Sequence, residues 1–280
     1  MQSKKLSKFY IVGSPIGNLE DITKRAIDIL STVDLIFTED TRVSKKLLSK
    51  YNISTKTAPI YNKAKKVNLG QFKYALEKYD VAFLTDAGTP GISDPVAQFV
   101  KISSKEQHEI IPIPGASSLT SAFSVSGFDS KNFIFLGFPP KSKIQFQKYI
   151  NEYIDLDLPI VLFESPKRLI STLRFLKDEF VIQNIFIGKE MTKLYEKIFM
   201  GNIDRAIELF SNAKGEFVII FKREIHKLSK STINQYDKIL SKGYKEGIKG
   251  KELITLLSEL TGENKKFFYN RWLEIKNKNG

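Results

Sequence analysis

The 280-residue chain carries 44 Lys and Arg against 31 Asp and Glu, a net charge of +13, and has no cysteine. Without thiols there can be no disulfide, thiolate zinc site or Cys nucleophile, and with only two histidines we expect no metal site. The basic charge favours a polyanionic partner such as nucleic acid, although AT-rich coding DNA produces the same Lys-rich composition.

The first residues and the apolar runs of the sequence indicate where in the cell the protein is expected. Residues 1–8 are polar and lead directly into a strand, which is not the pattern of a signal peptide. No apolar run approaches the ~18 residues that a membrane span needs. We therefore expect a cytoplasmic protein that does not enter the membrane.

The first half of the chain alternates predicted strands and helices. Short apolar runs predict strands at 9–12, 34–38, 81–84 and 109–114. Asn18 or Asp21 is expected to cap the first helix. Strands that alternate with helices at this spacing form a parallel sheet, so we predict an N-terminal α/β domain over 1–114. The basic segment 52–67 is predicted to be an irregular, mobile loop.

Polar loops follow these strands. The loop at 84–95 holds two Gly, two Pro and two carboxylates, and is equally typical of a ligand site and of a turn in which Asp94 caps the next helix. For 39–42 an ion pair, with Asp40 capping the next helix, is favoured over a functional role. Ser117 and Ser118 could cap a helix or bind a ligand. The G-x-G-x-x-G spacing is missing, which argues against a nicotinamide enzyme or a Rossmann-type methyltransferase.

The second half of the chain also contains short apolar runs with polar loops beside them. Strands are predicted at 133–136, 159–163, 185–188 and 217–221, and polar loops adjoin them. We predict a second α/β domain over 115–225, with a mixed sheet and a linker near 114–117. The fold class is therefore α/β, with two domains and a cleft between them.

Residues 226–280 are polar and predicted to be helical. One helix covers 251–260 and ends at Gly262, and a second begins at Asn264. Two short helices joined through a Gly resemble a helix-turn-helix, so we predict a small extension that contacts RNA. Leu253, Leu256, Leu257 and Leu260 share one helical face, and the aromatic residues at 267, 268 and 272 are expected in a core.

Several loops, in order along the chain, resemble one family. They are 10–12 with 15–19, 39–42, 86–90 with 94–95, 114–115 and 214–216. The resemblance runs from Phe9 to about Lys276 and is to the ribosomal RNA small-subunit methyltransferases of the tetrapyrrole (corrin/porphyrin) methylase superfamily. One departure is Tyr61-Asn62-Lys63, where the family commonly has His-Asn-Glu, so the role of the loop at 56–66 stays open.

The resemblance implies a two-domain methyltransferase, often a homodimer, that holds S-adenosyl-L-methionine in the cleft between its domains. The family methylates a cytidine 2′-hydroxyl in the decoding region of 16S rRNA, so the partner is the small ribosomal subunit. The residues expected to bind the cofactor are Pro15, Asp86, Gly88, Thr89, Ile92, Ser117, Ser118, Leu162 and Phe163.

The chemistry fits the residues as well. Methyl transfer from a sulfonium is an in-line displacement that depends on positioning and needs no metal. A ribose hydroxyl also needs a base to accept its proton, for which the candidates are Glu190, Glu164 and Glu39, with Glu190 preferred. An ion pair of Glu190 with Lys189 or Lys193 is the equally weighted alternative. The cations expected to hold RNA are Arg42, Arg168, Lys193, Lys265, Lys266 and Arg271.

Two alternatives remain at the level of sequence. The first is a methylase of a tetrapyrrole or of a modified protein side chain within the same superfamily. The basic helical tail and the run 39–42 argue against it. The second is an RNA-binding protein without catalysis, which the intact loops argue against.

Overall fold

The structure is a computed structural model that describes residues 7–61, 66–212, 214–224, 230–261 and 265–279. The chain divides into two compact units, Met1–Glu224 and Ile225–Gly280. The first unit contains two five-stranded sheets, and the second consists of helices in its described residues.

The first sheet is fully parallel. Its strands lie in the order β3-β2-β4-β1-β5, and every neighbouring pair runs in the same direction. The predicted parallel sheet is confirmed. The central strand is fully buried because helices cover both faces, which explains its uninterrupted apolar sequence. The strands are β1 (Lys8–Val12), β2 (Leu35–Thr38), β3 (Thr57–Pro59), β4 (Val81–Leu84) and β5 (Glu109–Ile113).

Four helices connect these strands: α1 (Lys24–Thr32), α2 (Thr41–Lys50), α3 (Leu69–Leu76) and α4 (Val96–Lys105). The hydroxyl of Thr23 caps α1 by accepting a bond from the Ala26 N–H, whereas Asn18 caps a preceding 3-10 turn, so the predicted cap of α1 was wrong. Asp40 caps α2 as predicted.

Strand β3 corrects the prediction of an irregular segment at 52–67. It has three residues, ends in Pro59 and lies at the edge of the sheet, where Pro is tolerated. So short a run carries no apolar pattern. Residues 62–65, where the mobile loop was predicted, lie outside the described residues.

The second sheet is mixed, as predicted. Its order is β6-β7-β10-β8-β9, in which β6 and β7 are parallel and the other pairs are antiparallel. Strand β9 was not predicted, because its apolar run, Ile198 to Met200, has only three residues. The strands are β6 (Ile134–Gly137), β7 (Ile160–Glu164), β8 (Asn184–Lys189), β9 (Lys197–Asn202) and β10 (Phe217–Phe221).

The passage from the first sheet to the second is short. Strand β5 ends at Ile113, and the next helix, α5 (Ser118–Ser124), already packs on the second sheet through Ala122. The remaining helices of this unit are α6 (Lys143–Asn151), α7 (Leu169–Phe180) and α8 (Ile203–Leu209). The domain limits at 114 and 225 stay predictions.

The described helices of the second unit are α9 (Lys230–Lys245), α10 (Gly250–Thr261) and α11 (Lys265–Asn279). They share a core in which Phe268 is fully buried and Trp272 packs at its border, as expected of the aromatic residues. Leu256 and Leu260 are exposed, so the predicted apolar face was wrong. The buried face of α10 is instead Leu253, Ile254 and Leu257. The predicted helix ends Gly262 and Asn264 lie outside the described residues.

Membrane spans and metal sites were not expected from the sequence. Among the described helices, none combines the length and hydropathy needed to cross a bilayer. The described His, Asp and Glu side chains form no group of three or more that could hold a metal ion.

Candidate active site

A cavity of about 240 Å³ opens where the loops of the two sheets meet. The loops after β1, β4 and β5 form one wall, and the ends of β6, β7 and β8 with the start of β10 form the other. Ligands of open α/β sheets bind beyond the carboxyl ends of strands, as here. The lining residues include Ile16, Ala87, Gly88, Thr89, Ile92, Ser93, Ser117, Ser118, Phe138, Phe163, Glu164, Gly188, Met191, Lys193 and Glu216.

Gly88 has a backbone that only glycine adopts easily, with φ +81°. A Cβ at this position would stand 3.3 Å from the Ile16 side chain. The Gly88 carbonyl accepts hydrogen bonds from the Ser14 N–H at 3.0 Å and from the Thr85 hydroxyl at 3.0 Å. The turn is therefore fixed with bare backbone against the cavity.

Two further glycines bring the loops after β1 and β5 together. A Cβ on Gly13 would lie 2.7 Å from the Cα of Gly115, and the reverse distance is also 2.7 Å. Neither position can accept a side chain without a shift of backbone. This contact explains why both loops carry Gly directly after a strand.

The loops after β1 and β8 also touch, across the two sheets. The Asn18 N–H donates to the Thr192 hydroxyl at 3.0 Å. A Cβ on Gly17 would stand 2.4 Å from the Lys193 side chain. We call this contact the seam. It joins the parallel sheet to the mixed sheet at one end of the cavity.

Ser117 and Ser118 line the cavity without capping α5. Their hydroxyls make no hydrogen bond within the described residues, so the predicted capping role is not seen, and contact with a ligand stays a prediction. Thr89 also lines the cavity, but its hydroxyl already donates to the carbonyls of Gly115 at 3.3 Å and Ala116 at 3.1 Å.

The apolar part of the wall comes from Phe163, Phe138 and Met191. Leu162, which was also expected to bind the cofactor, lies instead in the core of the mixed sheet and is fully buried. The reason is the alternation of side chains along β7, which sends neighbours to opposite faces. A strand that is apolar on both faces does not reveal which residue faces the ligand.

Pro15 and Asp86 are placed behind the wall rather than on it. The Pro15 carbonyl accepts a bond from the Gly88 N–H at 3.4 Å. The Asp86 carboxylate accepts the Asp40 N–H at 3.0 Å and so joins the ends of β2 and β4. Both residues shape the turn that contains Gly88.

Three carboxylates, Glu39, Asp86 and Asp94, form what we call the acidic group, at the carboxyl ends of β2 and β4. Burial, with the nearby charges of Asp86 and Asp94, raises the pKa of Glu39 to about 7. Burial also raises the pKa of Asp86. Asp94 accepts bonds from the N–H groups of Gly91 and Val96, so its predicted place at the start of α4 is confirmed.

The acidic group borders the cavity. Asp86 precedes the lining residues 87–89, and Asp94 follows the lining residues 92–93. Burial, together with the charges of Glu39, Asp94 and Asp86, also raises the pKa of the Tyr61 phenol. A carboxyl group with a pKa of about 7, such as Glu39, can exchange a proton near neutral pH.

Glu190, the preferred base from the sequence, is tightly held. Its carboxylate accepts the Glu216 N–H at 2.9 Å and the Lys193 ammonium at 3.0 Å. Burial acts to raise the pKa of Glu190, but these hydrogen bonds outweigh it and leave that pKa lowered. Gly215, with φ +106°, leaves room for the carboxylate, since a Cβ there would lie 2.4 Å from Glu190 Cγ.

Glu164 lines the cavity with its side chain fully buried. It accepts bonds from the Ser165 N–H at 2.8 Å and from the Thr172 hydroxyl at 2.6 Å. Arg168 approaches it at 3.7 Å and donates to the carbonyls of Pro139 and Pro140, both at 2.8 Å. Glu164 and Arg168 therefore fix the loop after β6.

Most of the cations predicted to bind RNA are paired within the protein. Arg42 bonds to Asp40, which is the ion pair favoured from the sequence. Lys193 lies between Glu190 and Glu216. Arg271 ties α11 to α9 through Asp237 and also bonds to Glu274.

Lys265, also predicted to bind RNA, is exposed. The side chain of Lys266 lies outside the described residues.

The family model described as Tetrapyrrole (Corrin/Porphyrin) Methylases matches residues 8–207. The chain belongs to the tetrapyrrole methylases. It is therefore a methyltransferase, and the matched residues contain both sheets up to α8 together with the loops after β1, β4, β5 and β8 that line the cavity.

Relatives within the family are named Ribosomal RNA small subunit methyltransferase I. The chain is 41% identical to that of Borrelia garinii over 76% of its own length and 98% of the relative. It is 41% identical to that of Thermotoga maritima over 77% of its own length and 98% of the relative. With the relative from Neisseria meningitidis serogroup B, the identity is 32% over 96% of this chain and 94% of the relative. The matched part of this chain includes the C-terminal helices.

Solved structures show the same fold at low sequence identity. A diphthine synthase superposes with a TM-score of 0.65 at 11% identity, covering 82% of this chain and 95% of that one. The cobalt precorrin-4 methyltransferase CbiF gives 0.58 at 17% identity, covering 79% and 97%. The predicted α/β fold class, with one parallel and one mixed sheet, is confirmed.

Proposed function

We propose that this enzyme transfers a methyl group from S-adenosyl-L-methionine to a cytidine 2′-hydroxyl in the decoding region of 16S rRNA. The observation that carries the proposal is the identity of 41% over 98% of relatives named for small-subunit ribosomal RNA. The basic net charge of +13 supports a polyanionic substrate.

The residues of the cavity fit the cofactor. Gly88 presents bare backbone, the hydroxyls of Ser117 and Ser118 have no partner among the described residues, and Phe163 and Met191 offer an apolar surface. Hydroxyls suit the polar edges of an amino acid or ribose, and an aromatic face suits an adenine. S-adenosyl-L-methionine, when bound, supplies the methyl group and a thioether leaving group.

Of the three candidate bases, Glu39 is the one with a pKa suited to proton transfer near neutral pH. In the reaction the ribose oxygen forms a bond to the methyl carbon, the bond from that carbon to sulfur breaks, and the hydroxyl proton passes to a carboxylate. Glu39 can accept this proton near pH 7, and Asp86, whose charge acts on it, directly precedes the lining residues 87–89. Glu190 is occupied by Lys193 and the Glu216 N–H, and Glu164 by Ser165 and Thr172.

Two further features belong to the proposal. The second unit, with exposed Lys265, helps to engage the ribosomal subunit. The enzyme acts as a cytoplasmic homodimer, which is supported by Ile198 and Met200, two exposed apolar residues on one face of the edge strand β9. Light scattering on the purified enzyme measures the oligomeric state, and a monomer at all concentrations would remove the dimer from the proposal.

The reaction is tested on RNA. A methylated 2′-oxygen cannot attack the adjacent phosphate, so the modified linkage resists alkaline cleavage. RNA from cells with the enzyme should show one resistant linkage in the decoding region that is lost when the gene is deleted. If both RNAs give the same pattern while the purified enzyme methylates a porphyrinoid or a protein, the ribosomal assignment is wrong.

The cofactor site is tested at Gly88. A Gly88→Trp substitution fills the cavity and should abolish detectable binding of S-adenosyl-L-methionine in calorimetry. The control is Gly70→Trp, because a Cβ on Gly70 meets nothing within 4 Å and its φ needs no glycine. Equal affinity in both variants would remove the loop at 86–90 from the site.

A further inference from the structure

A second pocket lies on the mixed sheet beside the active-site cavity. Three lysines, Lys189, Lys197 and Lys214, line it, so we call it the lysine pocket; its volume is about 450 Å³. The other lining residues are Tyr195, Leu209, Phe210, Ser211 and Asn212. The sequence-based set of RNA-binding residues contained none of these lysines.

The lysine pocket has a positive charge without an internal counterion. No carboxylate lines it, and no described Asp or Glu comes within 4 Å of the three ammonium groups. Lys189 donates to the Tyr195 carbonyl at 3.3 Å, and Lys197 lies 5.7 Å from the centre of the Phe210 ring. Lys214 makes no hydrogen bond or ion pair within the part of the chain that the structure describes.

The carboxylates nearest along the chain are engaged elsewhere. Glu196 precedes Lys197 but accepts the N–H of Thr192. Glu190 follows Lys189, and its charge is felt there, but its carboxylate bonds to Lys193, as does that of Glu216. Like charges brought together without a counterion repel, so the arrangement favours an anion from outside the protein.

The position of the lysine pocket relates it to the methyl-transfer site. Lys189 is the last residue of β8 and pairs with Phe217, which lines the cavity, and Lys214 stands two residues before Glu216, which also lines it. An anion held by these lysines therefore lies at the same end of the mixed sheet as the cavity. A nucleic-acid chain places a phosphate on either side of each ribose, which matches one anion site beside a site for a ribose.

We propose that the lysine pocket binds the phosphate backbone of the RNA substrate next to the nucleotide that is methylated. Lysine contacts to phosphate position a nucleic acid without reading its sequence. The hydroxyl of Ser211 and the amide of Asn212 add donors, and both are exposed. Tyr195, with its side chain 71% exposed, offers a ring on which a base can stack.

This inference rests on the proposed function, because it assumes an RNA substrate. It replaces Arg42, Lys193 and Arg271 as phosphate contacts, since those three are neutralised within the protein. The inference is also compatible with a dimer through Ile198 and Met200. Neighbouring residues of a strand point to opposite faces, so Lys197 lies on the face of β9 opposite to these two residues.

The test compares two triple variants of the full chain. Lys189→Gln, Lys197→Gln and Lys214→Gln together remove the charge of the lysine pocket. The control replaces Lys101, Lys105 and Lys148, which are exposed, line neither cavity and form no ion pair within the described residues. Binding of a decoding-region RNA is measured between 50 and 300 mM salt, roughly the range over which phosphate contacts weaken.

In the pocket variant, the slope of log affinity against log salt should become less steep by about 0.7–0.9 for each lost phosphate contact, so by up to about 2–3 in total. The KM for RNA should rise while the affinity for S-adenosyl-L-methionine is unchanged. The control variant should keep the wild-type slope. Equal slopes in the pocket variant and the wild type would overturn the proposal.

A second measurement uses the wild-type enzyme and so does not depend on the folding of a variant. Bound RNA should protect Lys189, Lys197 and Lys214 from acetylation, read by mass spectrometry, while Lys101 and Lys105 stay reactive. Unprotected pocket lysines on a wild-type enzyme that binds RNA would place the phosphate contacts elsewhere. A wild-type enzyme that binds no ribosomal RNA would instead contradict the proposed function.

Discussion

Both sheets carry carboxylates at their strand ends, and the surroundings shift the pKa values of these carboxylates in opposite directions. On the parallel sheet, Glu39 lies beside Asp86 and Asp94, and burial with these like charges raises the pKa of Glu39 to about 7. On the mixed sheet, Glu190 is bound by Lys193 and a backbone N–H, and its pKa is lowered although burial acts to raise it. Glu164 is likewise held by hydrogen bonds.

The comparison shows that the surroundings of a carboxylate, rather than its residue type, decide whether it suits proton transfer or a structural role. A carboxylate with hydrogen-bond donors around it is stabilised in its charged form and is a weak base. A carboxylate among other carboxylates retains its proton until neutral pH, which suits proton transfer in catalysis. We therefore expect the reactive carboxylate on the parallel sheet, with the carboxylates of the mixed sheet holding the cavity wall.

The largest effect is expected from Glu39→Gln. Loss of the base should lower turnover by about 10²–10⁴-fold while cofactor affinity is unchanged. Glu190→Gln is the matched control on the other sheet, and its turnover per folded molecule should stay close to wild type. Single-turnover methylation of undermethylated subunits measures both. A large loss in Glu190→Gln with none in Glu39→Gln would reverse the two roles.

The free energy of unfolding should be lowered more by substitution of a carboxylate on the mixed sheet than by substitution of Glu39 on the parallel sheet. Glu164→Ala removes the buried carboxylate that pairs with Arg168 and leaves the Thr172 hydroxyl without its acceptor, and breaking a buried pair in this way costs about 3 kcal/mol of unfolding free energy. Glu39→Ala removes repulsion and should cost much less. Urea denaturation gives both values. If the two variants are equally destabilised, the contrast between the sheets does not extend to stability.

The pH dependence of turnover should follow Glu39. The base acts only when it has lost its proton, so below its pKa of about 7 the rate should rise with pH, and above pH 7 it should level off. The profile is measured with saturating cofactor from pH 5.5 to 8.5. A profile that is flat between pH 5.5 and 7 would exclude Glu39 as the base.

The smallest effect concerns the pH dependence of stability. Because the pKa of Glu39 is raised from 4.5 to about 7 on folding, the charged form is penalised in the folded state and wild-type stability falls as pH rises from 4.5 to 7. Glu39→Gln carries no such penalty. Its stability relative to wild type should increase over that window and then stay constant, as thermal unfolding at several pH values can show.

The sequence predicted those features that depend on local order. Four apolar runs gave the four long strands of the first half, and the cap at Asp40 followed from a carboxylate just before a helix. The loops, in register, also predicted the family, which the comparisons confirmed. Each of these signals occupies fewer than about ten neighbouring residues, the length of a typical strand or loop.

Other features depend on residues far apart along the chain. Glu190 is held by Glu216, and Arg271 is held by Asp237, 34 residues away. These two contacts leave no local pattern, so Glu190 was preferred as a base and Arg271 as an RNA contact. The pair of Glu190 with Lys193 is local, and it was the alternative that the sequence offered. The lysine pocket was missed for the same reason, since Lys189, Lys197 and Lys214 meet only once the sheet has formed.

The seam between the loops after β1 and β8 determines how ligands are exchanged. It closes one end of the cavity with a hydrogen bond between Asn18 and Thr192 and with a glycine that admits no side chain. Ile92 and Phe138, by contrast, line the cavity and are exposed. If the cavity holds the cofactor as proposed, we expect spent cofactor to leave past these two side chains without any parting of the two sheets.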